Sequence, residues 1–341
     1  GQFNPVQYLM PLAKLIHDEG SYIFEETHVT RVHHDVPIRV EAGGFVVTAD
    51  HVVYATHQPI HDKLFVAKLA AYQTYALGLK VPSGTFPQAL AWDTLEPYHY
   101  WRQVPGAGHD LLIIGGEDHR TGQDDDTEAR YRALEDYAAH SLGKVAFEVA
   151  YRWSGQVLSP MDGAPFIGRL AAIPNAYVAT GYNGNGMTLG TFAGLLISDL
   201  ILDRENALAT LVDPNRFRIA AGGVTFLQEN LGFPRYMVGD RLRPDACEAI
   251  AAIAPGEGCL VDLEGEMVAA SKDEHGKVTA LSATCTHMGC LVHWNGAEKS
   301  WDCPCHGSRF ATNGQVMCGP AREGLPPARA TLKVPEQAPG S

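Results

Sequence analysis

The sequence predicts an α+β domain followed by a smaller domain of β hairpins, and three observations carry that reading. Helical patterns with capping signals interleave with short β-like runs through the first two-thirds of the chain. A buried strand, Ala176–Thr180, leads into a glycine-rich turn and then a helix of small and apolar residues, Met187–Leu202. Further on, Met267–Ser271 and Val278–Leu281 flank Asp273-Glu274-His275-Gly276, which is a hairpin signal.

Taken in order, Asn4-Pro5 followed by Leu9, Leu12 and Ile16 reads as a capped helix that Gly20 ends. Pro11 should kink it or break it early, because its ring removes one backbone donor. Short strands are expected at Tyr22–Glu25, Val29–Val32, Ile38–Val40, Phe45–Thr48 and His51–Ala55, with Gly43-Gly44 as a hairpin turn. A long loop containing Pro82, Pro87 and Pro97 precedes strands at Tyr98–Arg102 and Leu111–Ile114. Asp124-Asp125-Asp126 opens a helix with Tyr131, Leu134 and Tyr137-Ala138 on one face; the acidic run suits a helix N-terminus better than a metal. From Asp203 to about Arg235 periodicity fades, and Pro214, Gly222-Gly223 and Pro234 mark a connector expected to pack on the first domain. This gives a first domain over 1–203, a connector over 204–235 and a second domain over 236–336.

The 341 residues allow two or three domains, and 45% hydrophobic with 19% charged residues is ordinary globular composition. A formal net charge of −13 argues against nucleic acid, whose binding relies on basic side chains neutralising phosphates. No membrane span is expected, since the apolar stretch from Thr188 to Leu202 is interrupted by Asp199. The chain starts Gly1-Gln2-Phe3 without a signal peptide, and a cytoplasmic location is the expectation.

The most informative stretch is Cys285-Thr286-His287-Met288-Gly289-Cys290 followed by Cys303-Pro304-Cys305-His306-Gly307-Ser308. It reads C-x-H, a gap of 15 residues, then C-x-x-H. Two cysteines and two histidines in this order suit a [2Fe–2S] centre with thiolates on one iron and imidazoles on the other. The same ligand types suit tetrahedral zinc. A zinc finger, however, groups cysteines apart from histidines, whereas each hairpin here carries one of each. Gly289 and Gly307 allow the tight turns that a ligand loop needs.

The pattern resembles a Rieske domain of the subclass with an extra cysteine after each ligand pair, a small all-β fold. The resemblance implies Cys285 and Cys303 on one iron, His287 and His306 on the other, and a disulfide between Cys290 and Cys305. It places Ser308 to donate a hydrogen bond to a cluster sulfur, and Cys318-Gly319-Pro320 as the loop that shields the cluster. One departure concerns Phe310, which stands where high-potential relatives carry a tyrosine, so one donor that would tune the potential is missing. Cys247, Cys259 and Cys318 are left as free thiols.

The turn Gly181-Tyr182-Asn183-Gly184-Asn185-Gly186-Met187-Thr188 offers free N–H groups at a helix start to an anion or polar ring edge. Together with Asn4-Pro5…Leu9, Thr27–Val32, Ala49–Thr56 and Asp162-Gly163-Ala164-Pro165-Phe166-Ile167-Gly168, it resembles the C-terminal two-thirds of D-amino-acid-oxidase-like flavoproteins over residues 3–203. That resemblance implies an α+β flavoprotein-type domain with an antiparallel substrate-domain sheet, and FAD as cofactor. It places Val29 at the adenine through its backbone, Ala55 and Thr56 near the pyrophosphate, and Gly184, Asn185, Gly186, Met187 and Thr188 near the isoalloxazine, with Gly181 also among the cofactor-binding residues.

Two departures follow. The family's N-terminal strand–GxGxxG–helix unit is absent, so the chain reads as a fragment that holds FAD weakly on its own. Val157 stands where amino-acid oxidases carry an arginine for the substrate carboxylate, which argues against a simple amino acid. Arg102 and Arg152 are the alternative anion clamps, each also readable as a structural ion-pair partner. Glu117-Asp118-His119-Arg120 reads either as a lining of the flavin cavity or as a polar loop leaving a sheet. His33-His34 reads as surface, and Trp294 and Trp301 as packing of the second domain.

The functional expectation is an oxidoreductase that oxidises an amine-like small molecule with FAD and passes single electrons through the cluster to a redox partner. The alternative is a Rieske electron-transfer protein without a competent flavin site. A Rieske oxygenase subunit would need two further histidines and a carboxylate, usually downstream of the cluster domain, where little chain remains.

Overall fold

A computed structural model describes residues 2–59, 62, 65–217, 235–240 and 246–329. The expected connector therefore falls partly outside the described residues, over 218–234, as does the end of the second domain over 330–336. Among the described residues no helix is long and apolar enough to cross a membrane.

Asn4 caps α1 (Pro5–Asp18), its Oδ1 accepting from the Val6 and Gln7 amides at 2.9 and 3.3 Å. The helix runs on through Pro11, contrary to the expected early break, because one missing N–H bond is tolerated in a helix of four turns. Its apolar Leu9, Leu12, Leu15 and Ile16 are all exposed. The expected strand at Tyr22–Glu25 is irregular chain. A meander follows: β1 (Val29–His33), β2 (Ile38–Ala42) and β3 (Phe45–Ala49), turned at Gly43-Gly44 with φ of 55° and 83°. Next comes β4 (Val52–Tyr54).

The core of the first domain is a five-stranded antiparallel sheet. Its strands are β5 (Leu69–Val81), β6 (Leu90–Trp92), β7 (His99–Val104), β8 (Asp110–Arg120) and, after a helix, β9 (Glu148–Pro160), in the order β6-β7-β8-β5-β9. The two longest, β5 and β9, lie where the sequence reading expected a proline-marked loop and no element. β5 is buried on both faces, so it lacks the alternation that marks a half-exposed strand. The helix α2 (Thr127–Leu142) starts as expected, with Asp126 Oδ1 accepting from the Ala129 amide at 3.0 Å. Tyr131, Leu134, Ala138 and Leu142 pack it against Tyr75, Leu77, Leu79, Leu112 and Ile114.

β10 (Phe166–Arg169) and β11 (Ala176–Thr180) pair antiparallel, and β11 pairs parallel with β4. The helix α3 (Gly186–Ile201) and the single turn α4 (Ala209–Val212) cover this small sheet through Ala193, Leu196, Ile197 and Val212. The described start of the connector packs on the first domain. Arg216 makes a two-pronged ion pair with Asp162 at 2.7 and 2.8 Å, geometry that suits a buried pair.

The C-terminal domain has two sheets: β12 (Gly258–Leu263), β13 (Glu266–Lys272) and β14 (Val278–Ser282), then β15 (His293–Asn295), β16 (Ser300–Asp302), β17 (Arg309–Ala311) and β18 (Val316–Cys318). Trp301 and Phe310 are fully buried cross-strand neighbours, and Trp294 packs on Trp301 at 5.0 Å between ring centres. Cys247 and Cys259 form a disulfide, which corrects the expectation of free thiols there. The chain at Ala246 pairs with Leu260, and the Cys247 amide donates to the Leu260 carbonyl at 2.8 Å, which brings the two cysteines together. Cys318 is free.

Candidate metal centre and flavin face

The two Cys/His loops are built alike. In the first, between β14 and β15, the Cys285 amide donates to the Cys290 carbonyl at 2.8 Å and the Gly289 amide to the Cys285 carbonyl at 3.0 Å. In the second, between β16 and β17, the Cys303 amide donates to the Ser308 carbonyl at 2.7 Å and the Gly307 amide to the Cys303 carbonyl at 3.0 Å. Both turns need a positive φ near their end, supplied by Gly289 at 84° and Gly307 at 74°. A disulfide joins Cys290 to Cys305 and ties the loops to each other.

This leaves Cys285 and Cys303 as free, buried thiols. They hydrogen-bond to each other; that contact holds the Cys285 thiol down to about 7 and, with burial, pushes Cys303 up. The His287 and His306 rings stand perpendicular with centres 5.0 Å apart. Burial, then the neighbouring His287 and Arg120 charges, lowers the His306 pKa to about 4, so the ring is neutral and able to ligate. The Cys290, Cys303 and Cys305 sulfurs lie within 4.8 Å of one another, but two of them are spent in the disulfide. The donor set that remains, two thiols and two imidazoles, fits a [2Fe–2S] cluster.

The surroundings agree with that fit. Ser308 is fully buried, its hydroxyl contacts the Cys285 thiol, and its Oγ accepts from the Ala321 amide at 3.0 Å. That last bond holds the loop around the buried Pro320 against the second ligand loop. Phe310 lies in the same apolar core as Cys285 and Cys303. Beneath it, Arg309 donates to Asp302 and Ser300, each at 3.0 Å.

The residues expected at FAD are distributed over a wider surface. Ala55 and Gly181 line a cavity of about 690 Å³ with Tyr182, Gly190 and Ala193. Val29 and Thr56 line a second, of about 1180 Å³, whose other wall includes Gln315, Met317 and Arg322 of the C-terminal domain. Gly184, Asn185, Gly186, Met187 and Thr188 lie at the start of α3, where Asn185 occupies the cap position without a side-chain cap bond. The first turn of α3 thus keeps amides for a ligand, which fits a flavin.

On one face of the central sheet Tyr72 pairs with both Arg120 and Val157. Asp118 lies on this face bonded to Thr74, with Tyr98 and Tyr100 close by. Burial raises its pKa, and its Oδ1 is buried without a hydrogen-bond partner among the described residues. Arg102 donates to the Phe3 carbonyl at 2.6 Å, and Arg152 pairs with Glu128 and stacks on Tyr131, so both hold structure. Sequence reading missed Gln123 and Gln156, which donate to the second ligand loop, and Gln58 and Thr121, which bond Gln156. Their only signal was a polar side chain within or beside otherwise apolar strands.

Residues 1–200 match the family described as FAD dependent oxidoreductase (DAO), and residues 247–329 match the Rieske [2Fe-2S] domain. The chain belongs to the FAD-dependent oxidoreductase family and carries a Rieske domain. YhfW of Bacillus subtilis (strain 168), whose name assigns it a Rieske 2Fe-2S centre, is 33% identical over 325 residues, covering 94% of this chain. The chain spans 63% of that relative's length. The cytochrome b6-f complex iron-sulfur subunit of Synechococcus sp. (strain JA-3-3Ab) is 52% identical over 52 residues, 15% of this chain and 30% of its own. The glycine oxidase structure from Geobacillus kaustophilus superposes with a TM-score of 0.51 at 23% identity, covering 61% of this chain and 57% of that one, which shows the fold. The Rieske domain implies a [2Fe–2S] cluster, and the FAD-dependent oxidoreductase domain implies FAD.

Proposed function

We propose that this chain takes part in oxidising an amine-like small molecule and passes the electrons singly through the Rieske centre to an outside redox partner. The observation that carries the substrate class is Asp118, a half-buried carboxylate whose Oδ1 is buried without a hydrogen-bond partner among the described residues, on the sheet face where Val157 offers no cation. An ammonium group satisfies that orphan oxygen. Thr74 orients Asp118, and Tyr98 and Tyr100 supply aromatic walls beside the bound cation. Cys285, Cys303, His287 and His306 would hold the cluster, and the N-terminal turn of α3, with Val29, Ala55 and Thr56, would meet the flavin. When bound, FAD supplies two-electron oxidation and the cluster one-electron carriage.

Anaerobic mixing of flavin-loaded protein with primary amines and with amino acids, followed by flavin absorbance and by the cluster's paramagnetic signal, tests the reading. Amines should bleach the flavin and Asp118→Asn should remove that response; preferential bleaching by carboxylate-bearing amino acids overturns it. Because burial raises the Asp118 pKa, amine binding should weaken as pH falls through that raised value. The domain limits 1–203, 204–235 and 236–336 belong to the same proposal, and limited proteolysis checks them. So does a cytoplasmic setting, which cell fractionation checks.

A further inference from the structure

The second ligand loop of the Rieske domain does not face solvent. Gln156, on β9 of the flavin domain, donates through Nε2 to the Gly307 carbonyl at 2.7 Å and to Thr121 Oγ1 at 3.2 Å. Its Oε1 accepts from Gln58 Nε2 at 2.9 Å and from Cys318 Sγ at 3.0 Å. One side chain thus binds two flavin-domain groups, the second ligand loop and the loop that begins at Cys318. Beside it, Gln123 Nε2 donates to the Pro304 carbonyl at 2.9 Å.

Two glycines let the backbones meet. A Cβ on Gly122 would lie 2.8 Å from the Cys303 carbonyl carbon and the Pro304 nitrogen. One on Gly307 would lie 2.4 Å from Ala71 Cβ and 2.7 Å from Gln156 Nε2. Every residue from Trp301 to Phe310 is buried, and the imidazoles that would carry electrons outward, His287 and His306, are 5% and 9% exposed. Contacts this close, with the polar groups of Gln156 paired, describe a fitted seat rather than a tethered neighbour.

We propose that Ala71, Thr121, Gly122, Gln123 and Gln156 form an internal docking socket for the cluster loop. In this pose the His306 edge meets the chain's own flavin domain and is closed to outside redox proteins, and Gln156 is the positioning residue. The inference draws on the proposed coupling of flavin oxidation to the cluster for the direction of electron flow; its test needs neither flavin nor substrate.

The test uses the full chain with its cluster reconstituted, as wild type, Gln156→Leu and Ala71→Arg. Three quantities are read: amide exchange over residues 302–308, the cluster's midpoint potential and paramagnetic signal, and the rate at which oxidised cytochrome c, a bulky one-electron acceptor, drains the reduced cluster. Loss of a buried hydrogen bond or insertion of a wedge should speed exchange and oxidation of the cluster by cytochrome c about tenfold or more. Gln156→Leu should also shift the midpoint at full iron content, which a merely structural role would not do. If Ala71→Arg fails to fold, Gln156→Leu with Gln156→Asn as its conservative rescue decides the matter. Wild-type exchange, potential and oxidation rate in iron-loaded variants would overturn the proposal. Loss of iron from every variant would do so too, because the socket would then serve cluster assembly and not its placement.

Discussion

Between Trp301 and Phe310 every side chain of the Rieske domain is buried, while in the flavin domain Ala55, Thr56, Gly184, Asn185 and Thr188 lie on the surface. Both regions rely on glycine turns, yet they close differently. The cluster loops are consecutive hairpins whose ends bond to themselves, so the site is complete within one short stretch of chain. The residues expected at the nucleotide come from β1, the end of β4 and the start of α3; Ala55 and Gly181 line one cavity and Val29 and Thr56 another. A site assembled from adjacent turns carries its own donors; one assembled from distant strands depends on what else covers it.

The largest test of that contrast is at the cluster. His306→Ala should abolish both iron retention and the reduced-state paramagnetic signal, because a three-donor site leaves one iron incompletely held. Wild-type protein that purifies with stoichiometric zinc and no iron would sink the assignment. On the open side, this chain alone should lose added FAD on desalting, and tight stoichiometric retention would show that the exposed segments suffice. Cys290→Ser should come next, costing about 3 kcal/mol for a loop of roughly 15 residues and loosening the two ligand loops, as read by urea unfolding and iron release.

Smaller effects concern tuning. The midpoint should fall inside the roughly −150 to +300 mV span of Rieske centres, with Ser308→Ala lowering it and Phe310→Tyr raising it. Protein-film voltammetry measures both, and no rise in the tyrosine variant would mean that residue 310 does not reach the cluster. The mildest prediction concerns Asp93 in the flavin domain. Burial works against its ionisation, but the His99 amide at 2.9 Å, the His99 ring at 3.0 Å, the Leu95 amide and the Tyr137 hydroxyl hold its pKa down to about 2 from an ordinary 3.8. A depressed carboxyl stabilises the fold above its ordinary value and loses that contribution as pH falls toward about 2. Asp93→Asn should therefore flatten the stability profile over that window, as read by urea unfolding at three acid pH values.

The same contrast explains what the sequence made legible. Cys285 to Ser308 could be read because ligand identity, spacing and turn glycines sit together. α2, β11 and the start of α3 could be read because caps and small-residue patterns are local. β5 could not, since burial on both faces erases the alternation that identifies a strand. The Cys247–Cys259 disulfide depends on a bridge between Ala246 and Leu260 that no periodicity announces. Gln156 is one amide in an unrecognised strand, and its role appears only when two domains are brought face to face.

That long central strand also bears on how the chain is made. β5 is hydrogen-bonded on one edge to β8 and on the other to β9, both of which leave the ribosome after it. At about 5–20 residues per second, β9 emerges several seconds after β5. Through that interval a thirteen-residue apolar ribbon has an unpaired border, the kind of edge that recruits other nascent chains. Its exposure time during synthesis, rather than the finished fold's stability, should limit the yield of this protein in a slowly translating host.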